Sequence, residues 1–290
     1  MREKDNLMNK RLYIPATILL VAIMVSGCGF QMVTGSGTLA TETRNLSGFT
    51  SVTLAGIGNV YLTQGAAESV RIEAEDNLIP YFDASVQGST LKIGLKEQYM
   101  GISLQPTRPV KFYVTLPKLE AVTLAGSGNI FAGKVQAGAF GISLLGSGNI
   151  SADALTATNL DMHLSGSGNI NLGAVSASQV TASIAGSGDI QVDALTAAKV
   201  TSKTAGSGNI TLGGKVTEQS AEILGSGDYQ AGGLKSDTAT VQVTGSGDSQ
   251  VSASSTLNVT ILGSGDVAYS GNPKVNASVA GSGKVKPSNQ

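Results

Sequence analysis

Three aspartates, Asp228, Asp248 and Asp266, each follow a Gly-Ser-Gly triplet, and they are spaced 20 and 18 residues apart. If the segments carrying them stack as neighbouring strands, the carboxylates form a column with about 4.8 Å between neighbours. Like charges at that distance repel by roughly 1 kcal/mol in water. Three kinds of relief are open. The carboxylates splay into solvent, which costs least; one holds a proton at a raised pKa; or a divalent cation sits between them. Calcium would suit the last, because Ser226, Ser246 and Ser264 stand two residues before the carboxylates and could add oxygens. These three aspartates are the candidate metal ligands, and calcium is the one cofactor the residues bring up.

Catalysis finds less to use. His163 is the sole histidine. It alternates with Leu164, which turns it outward on a strand, and a Ser-His-Asp device would have to use it. Asp153 and Asp193 stand forty residues apart, and two repeats would separate them by roughly 10 Å, near the spacing of an inverting glycosidase pair. The repeats around them run only 18 to 20 residues, which leaves no loop to wall a cleft. Solvated strand residues account for both aspartates. We expect no catalytic residues and no enzyme.

The Gly-Ser-Gly unit itself could cradle an anion or turn a corner. Its clearest copies are Gly126-Ser127-Gly128-Asn129, Gly146 to Asn149 and Gly166 to Asn169. A phosphate loop needs a helix N-terminus after the glycines, and here the following residues read as a strand. The Gly-Ser-Gly-Asp-Ile form resembles the nonapeptide of calcium-binding β-rolls, but the period differs and the fourth position is usually Asn. A turn explains the pattern without a ligand. Glycine reaches positive φ freely, and Asn or Asp tolerates the left-handed region. We therefore expect Gly126, Gly128, Asn129, Gly146, Gly148, Asn149, Gly166, Gly168 and Asn169 to be turn residues, with the asparagines hydrogen-bonded to one another along a ladder.

These corners must be held by elements that recur with them. From Gly126 the triplets advance by 20, 20, 20, 20, 19, 20, 18 and 18 residues. Between them apolar and polar residues alternate, as in Val180, Ala182 and Ile184 before one corner and Ile190, Val192 and Ala194 after it. Period two marks strands with one buried face. Twenty residues cannot lie along one strand and must wrap. Stacked wraps bury their apolar faces on each other. The fold class is all-β, a parallel β-helix or solenoid, and nine corners make a rod of roughly 40 Å. Between Gly56 and Gly126 the period breaks. Val70–Ala74, Leu91–Leu95 and Val110–Val114 alternate there, and six of the 13 Phe and Tyr residues lie there. This stretch reads as a head of longer antiparallel strands that covers one end of the stack. At the other end Lys284-Val285-Lys286-Pro287 suits a place where pairing stops.

The chain has 290 residues, with 19 basic against 20 acidic, 38 glycines and no tryptophan. No basic stripe is visible, so nucleic acid is not an expected partner. The start carries Arg2, Lys4, Lys10 and Arg11, then an apolar run from Leu12 to Val25, then Ser26-Gly27-Cys28. That order resembles a bacterial lipoprotein signal and its lipobox. The resemblance implies that Cys28 is acylated, and several acyl chains hold a protein firmly at a membrane. A noncleaved anchor with an incidental cysteine is the alternative. Cys28 is the only cysteine, so no intrachain disulfide exists. Gly29, where an Asp would resemble an inner-membrane retention signal, leans toward the outer membrane in a Gram-negative envelope. The expected organisation is a signal peptide at 1–27, a lipidated linker at 28–40, a head with the first rung at 41–125, the repetitive solenoid at 126–285 and a tail at 286–290.

The corner Gly56-Ile57-Gly58-Asn59-Val60, the preceding Gly48-Phe49-Thr50-Ser51-Val52, and Leu91-Lys92-Ile93 before Val110 to Leu116 resemble the family called "putative auto-transporter adhesin, head GIN domain" over roughly residues 40 to 285. The resemblance implies a surface protein and offers no catalytic or ligand residue to carry over. The expected function is a membrane-anchored envelope lipoprotein that binds a glycan or an envelope or matrix protein through the sides of the rod. A structural or stress-related scaffold is the alternative, with a polysaccharide-acting enzyme behind it.

Overall fold

The computed structural model describes residues 32–288, so Cys28 and the apolar run before it lie outside the described residues. Twenty-one strands and two short 3-10 turns make up the described chain. The first nine strands are β1 (Met32–Thr34), β2 (Leu39–Arg44), β3 (Ser51–Ala55), β4 (Asn59–Gln64), β5 (Ser69–Glu75), β6 (Phe82–Gln87), β7 (Thr90–Leu95), β8 (Ser103–Gln105) and β9 (Lys111–Leu116). The solenoid continues with β10 (Ala121–Leu124), β11 (Asn129–Gln136) and β12 (Ala139–Leu144). Then come long bent strands, β13 (Ile150–Leu164), β14 (Ile170–Ile184), β15 (Ile190–Thr204), β16 (Ile210–Ile223), β17 (Tyr229–Val243) and β18 (Ser249–Ile261). It ends in β19 (Val267–Ser270), β20 (Lys274–Val279) and β21 (Val285–Pro287).

The parallel β-solenoid has about eight turns. Strand β13 pairs β14, and β14 pairs β15, in parallel register with an offset of twenty residues throughout. One turn shows why the chain wraps. Ile150, Ala152, Leu155, Ala157, Leu160, Met162 and Leu164 are all buried. The inward period of two slips twice, at Asp153–Ala154 and at Thr158–Asn159. A strand cannot bend around a core without such slips, so each turn has three short faces plus the glycine corner. Stacking then sets like on like: Ile130, Ile150, Ile170, Ile190 and Ile210 form one buried column. Each such side chain contributes roughly 1.5–3 kcal/mol by leaving water, and it does so only because a rung lies above and below.

The head is more interleaved than the sequence suggests. Strand β5 is antiparallel to both β2 and β9, and β6 to β7, as expected of a cap. Yet β7 runs parallel under β3, and β9 parallel under β4. The head thus mixes antiparallel pairs with the first rungs: β7 and β9 form a rung of their own, below the rung made by β3 and β4. The chain writes the second rung first, drops to build the one beneath it, and returns to lay β10 and β11 on top. Glu75 fastens this end. Its carboxylate is wholly buried and accepts hydrogen bonds from the N–H groups of Gly37, Thr107 and Arg108 and from the Thr107 hydroxyl. The hydroxyl contributes most to holding its pKa below the ordinary value of 4.5, against the opposing effect of burial.

The other end is open. Every residue of β20 is exposed, including Val275 and Val279, which stack in register on Leu257 and Ile261 of the core. Among the described residues no strand pairs beyond β20 and β21. Lys274, Lys284, Lys286 and Pro287 stand on this last rung, the residue types that discourage edge-to-edge pairing.

Candidate functional site

At each Gly-Ser-Gly corner from Gly126 to Gly265 the first glycine is half-buried, the serine exposed and the second glycine buried. The chain bends at these residues, without the positive φ expected of them. None of the corner glycines from Gly126 to Gly283 has positive φ; among the Gly-x-Gly triplets only Gly37, Gly56 and Gly58, ahead of the regular repeats, do. What requires glycine is the preceding corner. A Cβ on Gly148 would lie 1.6 Å from the Gly128 carbonyl oxygen, and one on Gly168 would lie 1.7 Å from that of Gly148. Backbones pass so close here because successive corners are hydrogen-bonded face to face. Ser147 and Gly148 both donate their N–H to the Gly126 carbonyl, at 3.0 and 3.3 Å.

The fourth corner residue closes the remaining backbone gap. The N–H of Asn149 donates to Asn129 Oδ1 at 3.0 Å, that of Asn169 to Asn149 Oδ1 at 3.1 Å, and that of Asp189 to Asn169 Oδ1 at 3.0 Å. Any residue with an oxygen at the δ position serves, which explains why Asn and Asp interchange. Direct amide-to-side-chain bonds occur at three steps, from Asn129 to Asn59, Asn149 to Asn129 and Asn209 to Asp189. The expected asparagine ladder is thus chiefly side chain to backbone.

The acidic column exists. Asp228, Asp248 and Asp266 stack on consecutive rungs, and each holds the next corner's N–H through its Oδ1. Asp248 donates its N–H to Asp228 Oδ1 at 2.8 Å, and Asp266 to Asp248 Oδ1 at 2.7 Å. Lys284 then donates its N–H to Asp266 Oδ1 at 2.9 Å, and the Lys286 ammonium pairs with Asp266 Oδ2 at 2.9 Å. Lys286 is the main cause holding the Asp266 carboxyl below the usual carboxylate range, and the pair raises Lys286 in turn. Ser226, Ser246 and Ser264 are exposed beside this column. Among the described residues no group of three His, Cys, Asp or Glu side chains is placed to hold a metal ion. His163 is exposed on β13, flanked in register by Ser143 and Ser183. Asp153 and Asp193 are exposed as well, and Gln191 Nε2 donates to Asp193 Oδ1 at 2.7 Å. The register sets Asp153 and Asp193 in one outward column, two rungs apart with Gly173 between them.

Sequence reasoning missed an aromatic stack on the outer face of the first three rungs. Tyr113 lies on Tyr61 at 5.4 Å between ring centroids, and Tyr61 on Phe131 at 5.2 Å, with ring planes within 20° of parallel. The Arg71 guanidinium covers Tyr113 at 4.0 Å. The signal was present: Tyr61 and Phe131 are each the second residue after a corner asparagine, in Asn59-Val60-Tyr61 and Asn129-Ile130-Phe131. Their column continues as Ser151, Asn171, Gln191, Thr211, Gln230 and Gln250. Beside Phe131 lies an open groove of about 470 Å³, bordered by Thr63, Gly133, Lys134, Ser151 and Asp153. Gln64, also at its edge, is already committed: its amide donates to the Gln136 carbonyl and accepts from the Gln136 N–H.

Fold and surface together define a capped parallel β-solenoid with a polar outer face. The sequence pattern of the family described as "putative auto-transporter adhesin, head GIN domain" matches residues 48–211 and, overlapping, 173–273. The chain belongs to that family. Three solved structures share its fold, each overlapping 89% of this chain and the whole of its own. They are a "putative lipid binding protein" from Parabacteroides distasonis (23% identity, TM-score 0.68), a "putative adhesin" from the same species (21%, 0.70) and a "putative adhesin" from Parabacteroides merdae (22%, 0.69). No curated protein matches the chain.

Proposed function

We propose that this protein is a non-catalytic, adhesin-like binding module of the bacterial cell envelope, anchored through acyl chains on Cys28. Its solenoid presents side faces to a glycan or to an envelope or matrix protein. The observation that carries the reading is the outward column from Ser151 to Gln250, a straight row of hydroxyl and amide side chains on a rigid stack. Such a row makes many weak contacts at once, and linked weak contacts gain strength from each other. The family and its solved relatives, two of them described as adhesins, support the same reading. In the test, cells expressing the full chain are compared with cells expressing Cys28→Ala, following labelled palmitate, membrane fractionation and attachment to glycan- or matrix-coated surfaces. The wild type takes up label, sediments with membranes and promotes attachment; the variant does none of these. A variant that is processed and sediments as before overturns the anchor, and attachment indifferent to the wild-type protein overturns the adhesin role.

The exposed β20 edge favours a second reading, a scaffold that associates end to end. Sedimentation of the purified chain over a hundredfold concentration range distinguishes the two, since a scaffold grows with concentration.

A further inference from the structure

We infer that Phe131 and the groove beside it form a saccharide-binding site, with one sugar ring stacked on the outer face of Phe131. The inference rests on the adhesin reading and gives it a location and a ligand class.

The argument begins with which ring faces are covered. In the aromatic stack Tyr113 has Arg71 on one side and Tyr61 on the other, and Tyr61 is enclosed between Tyr113 and Phe131. Both are satisfied by the protein's own groups. Phe131 is covered on the Tyr61 side only. Its other face looks toward the next rung, whose residue in register is Ser151, too small to cover a ring. Phe131 is accordingly 38% exposed. The ladder thus ends with an apolar ring face beside the groove.

The groove supplies the rest. Its floor is low because residue 133 is glycine, where a Cβ would meet nothing within 4 Å. On its rim stand Lys134, which only donates hydrogen bonds, Asp153, which as a carboxylate only accepts, and Ser151 and Thr63, which do both. Among the described residues neither Lys134 nor Asp153 has an ion-pair partner, and together they carry no net charge. The space, about 470 Å³, falls in the range of small-ligand sites. A pyranose fits this chemistry on both counts: one face of it is a patch of C–H groups, and its rim is a ring of hydroxyls that donate and accept. A ring lying on Phe131 would be parallel to the rungs. A nucleotide would want net positive charge, and an apolar peptide would want more than one open ring. The site offers neither.

The test uses the full chain on an array of immobilised neutral and acidic oligosaccharides, with laminarin, dextran and chitin fragments included as linear probes. It compares wild type with Phe131→Ala, Phe131→Tyr, Asp153→Asn and, as a control on another face, His163→Ala. Phe131 and Asp153 are exposed, and melting curves verify that each variant folds. The wild type retains at least one glycan class. Phe131→Ala lowers that affinity tenfold or more, Asp153→Asn lowers it several-fold, and Phe131→Tyr and His163→Ala leave it within twofold. Glycan binding that survives Phe131→Ala overturns the site while leaving the adhesin role intact. Retention of no glycan by a wild-type chain that still mediates attachment to protein-coated surfaces overturns the ligand class. A chain that binds neither glycans nor surfaces overturns the adhesin reading and this inference with it.

Discussion

Gly168 and Gly133 are both glycines on the solenoid, and the structure assigns them opposite tolerance. At Gly168 a methyl group would run into the Gly148 carbonyl, 1.7 Å away, on a residue tied to the preceding corner by its N–H to Gly126. Gly168→Ala is therefore expected to cost about 1–3 kcal/mol, the usual size of overpacking, read as a lowered melting temperature. Gly133→Ala meets open space and stays within about 0.5 kcal/mol of wild type. Equal melting of the two variants would remove close approach as the reason for the corner glycines. The acidic column makes a second prediction. Each Oδ1 of Asp228, Asp248 and Asp266 is engaged by the next corner's N–H, and Lys286 terminates the row. Melting curves with millimolar calcium and with chelator should coincide, and Asp248→Asn should melt like the wild type, since the amide keeps the needed oxygen. A calcium-dependent rise that Asp248→Asn reduces would instead establish a cation there. That glycine and Asn or Asp are needed at fixed offsets was legible in the spacing alone. Why they are needed was not. Positive φ and a neighbour's carbonyl demand the same residue, and only the distance between stacked backbones separates them.

At the scale of elements, the cap is held by a carboxylate whose titration can be followed. Glu75 titrates below its ordinary 4.5 in the folded chain, chiefly because of the Thr107 hydroxyl, so the bonds it accepts favour folding most when it is ionised. The sign follows: this contribution is fully present above about pH 4.5 and is lost as pH falls through the lower folded value. Acid should loosen the head there, and Glu75→Gln, which cannot be ionised, should be less stable at neutral pH and show a flatter acid limb. Identical pH profiles for the two proteins would rule out Glu75 as the acid-sensitive fastener. The strands of this region were readable from alternation: Val70–Ala74, Leu91–Leu95 and Val110–Val114 all fall in or across β5, β7 and β9. Their partners were not. Strand β7 lies under β3 about forty residues earlier, and β9 under β4 about fifty earlier, in register with residues that share no repeated motif. Alternation says that a strand has a buried face; it carries no information about which neighbour pairs along the edge. The aromatic stack escaped notice for the same reason, since Tyr113 joins it only through that pairing.

Over the whole molecule, every rung touches only the rungs beside it, so stability sums along one dimension. The two ends are unequal: β5 and β6 close the head, while β20 presents an exposed edge. Amide hydrogen exchange should therefore proceed as a gradient, fastest in β20 and β21, slower through β18 and β17, and slowest near β13 and β14. Uniform exchange across the solenoid would contradict a stack that frays from its open end. The offset of twenty residues between β13, β14 and β15 has a last consequence, and it concerns how such a chain changes over generations. Removing residues 150–169 would join Asn149 to Ile170, the same junction that Asn149 now makes with Ile150, and every column from corner oxygen to buried isoleucine would close over the gap. A copying error of one whole period thus yields a shorter rod rather than a broken one, so a lineage can lengthen or shorten the solenoid without passing through a misfolded ancestor.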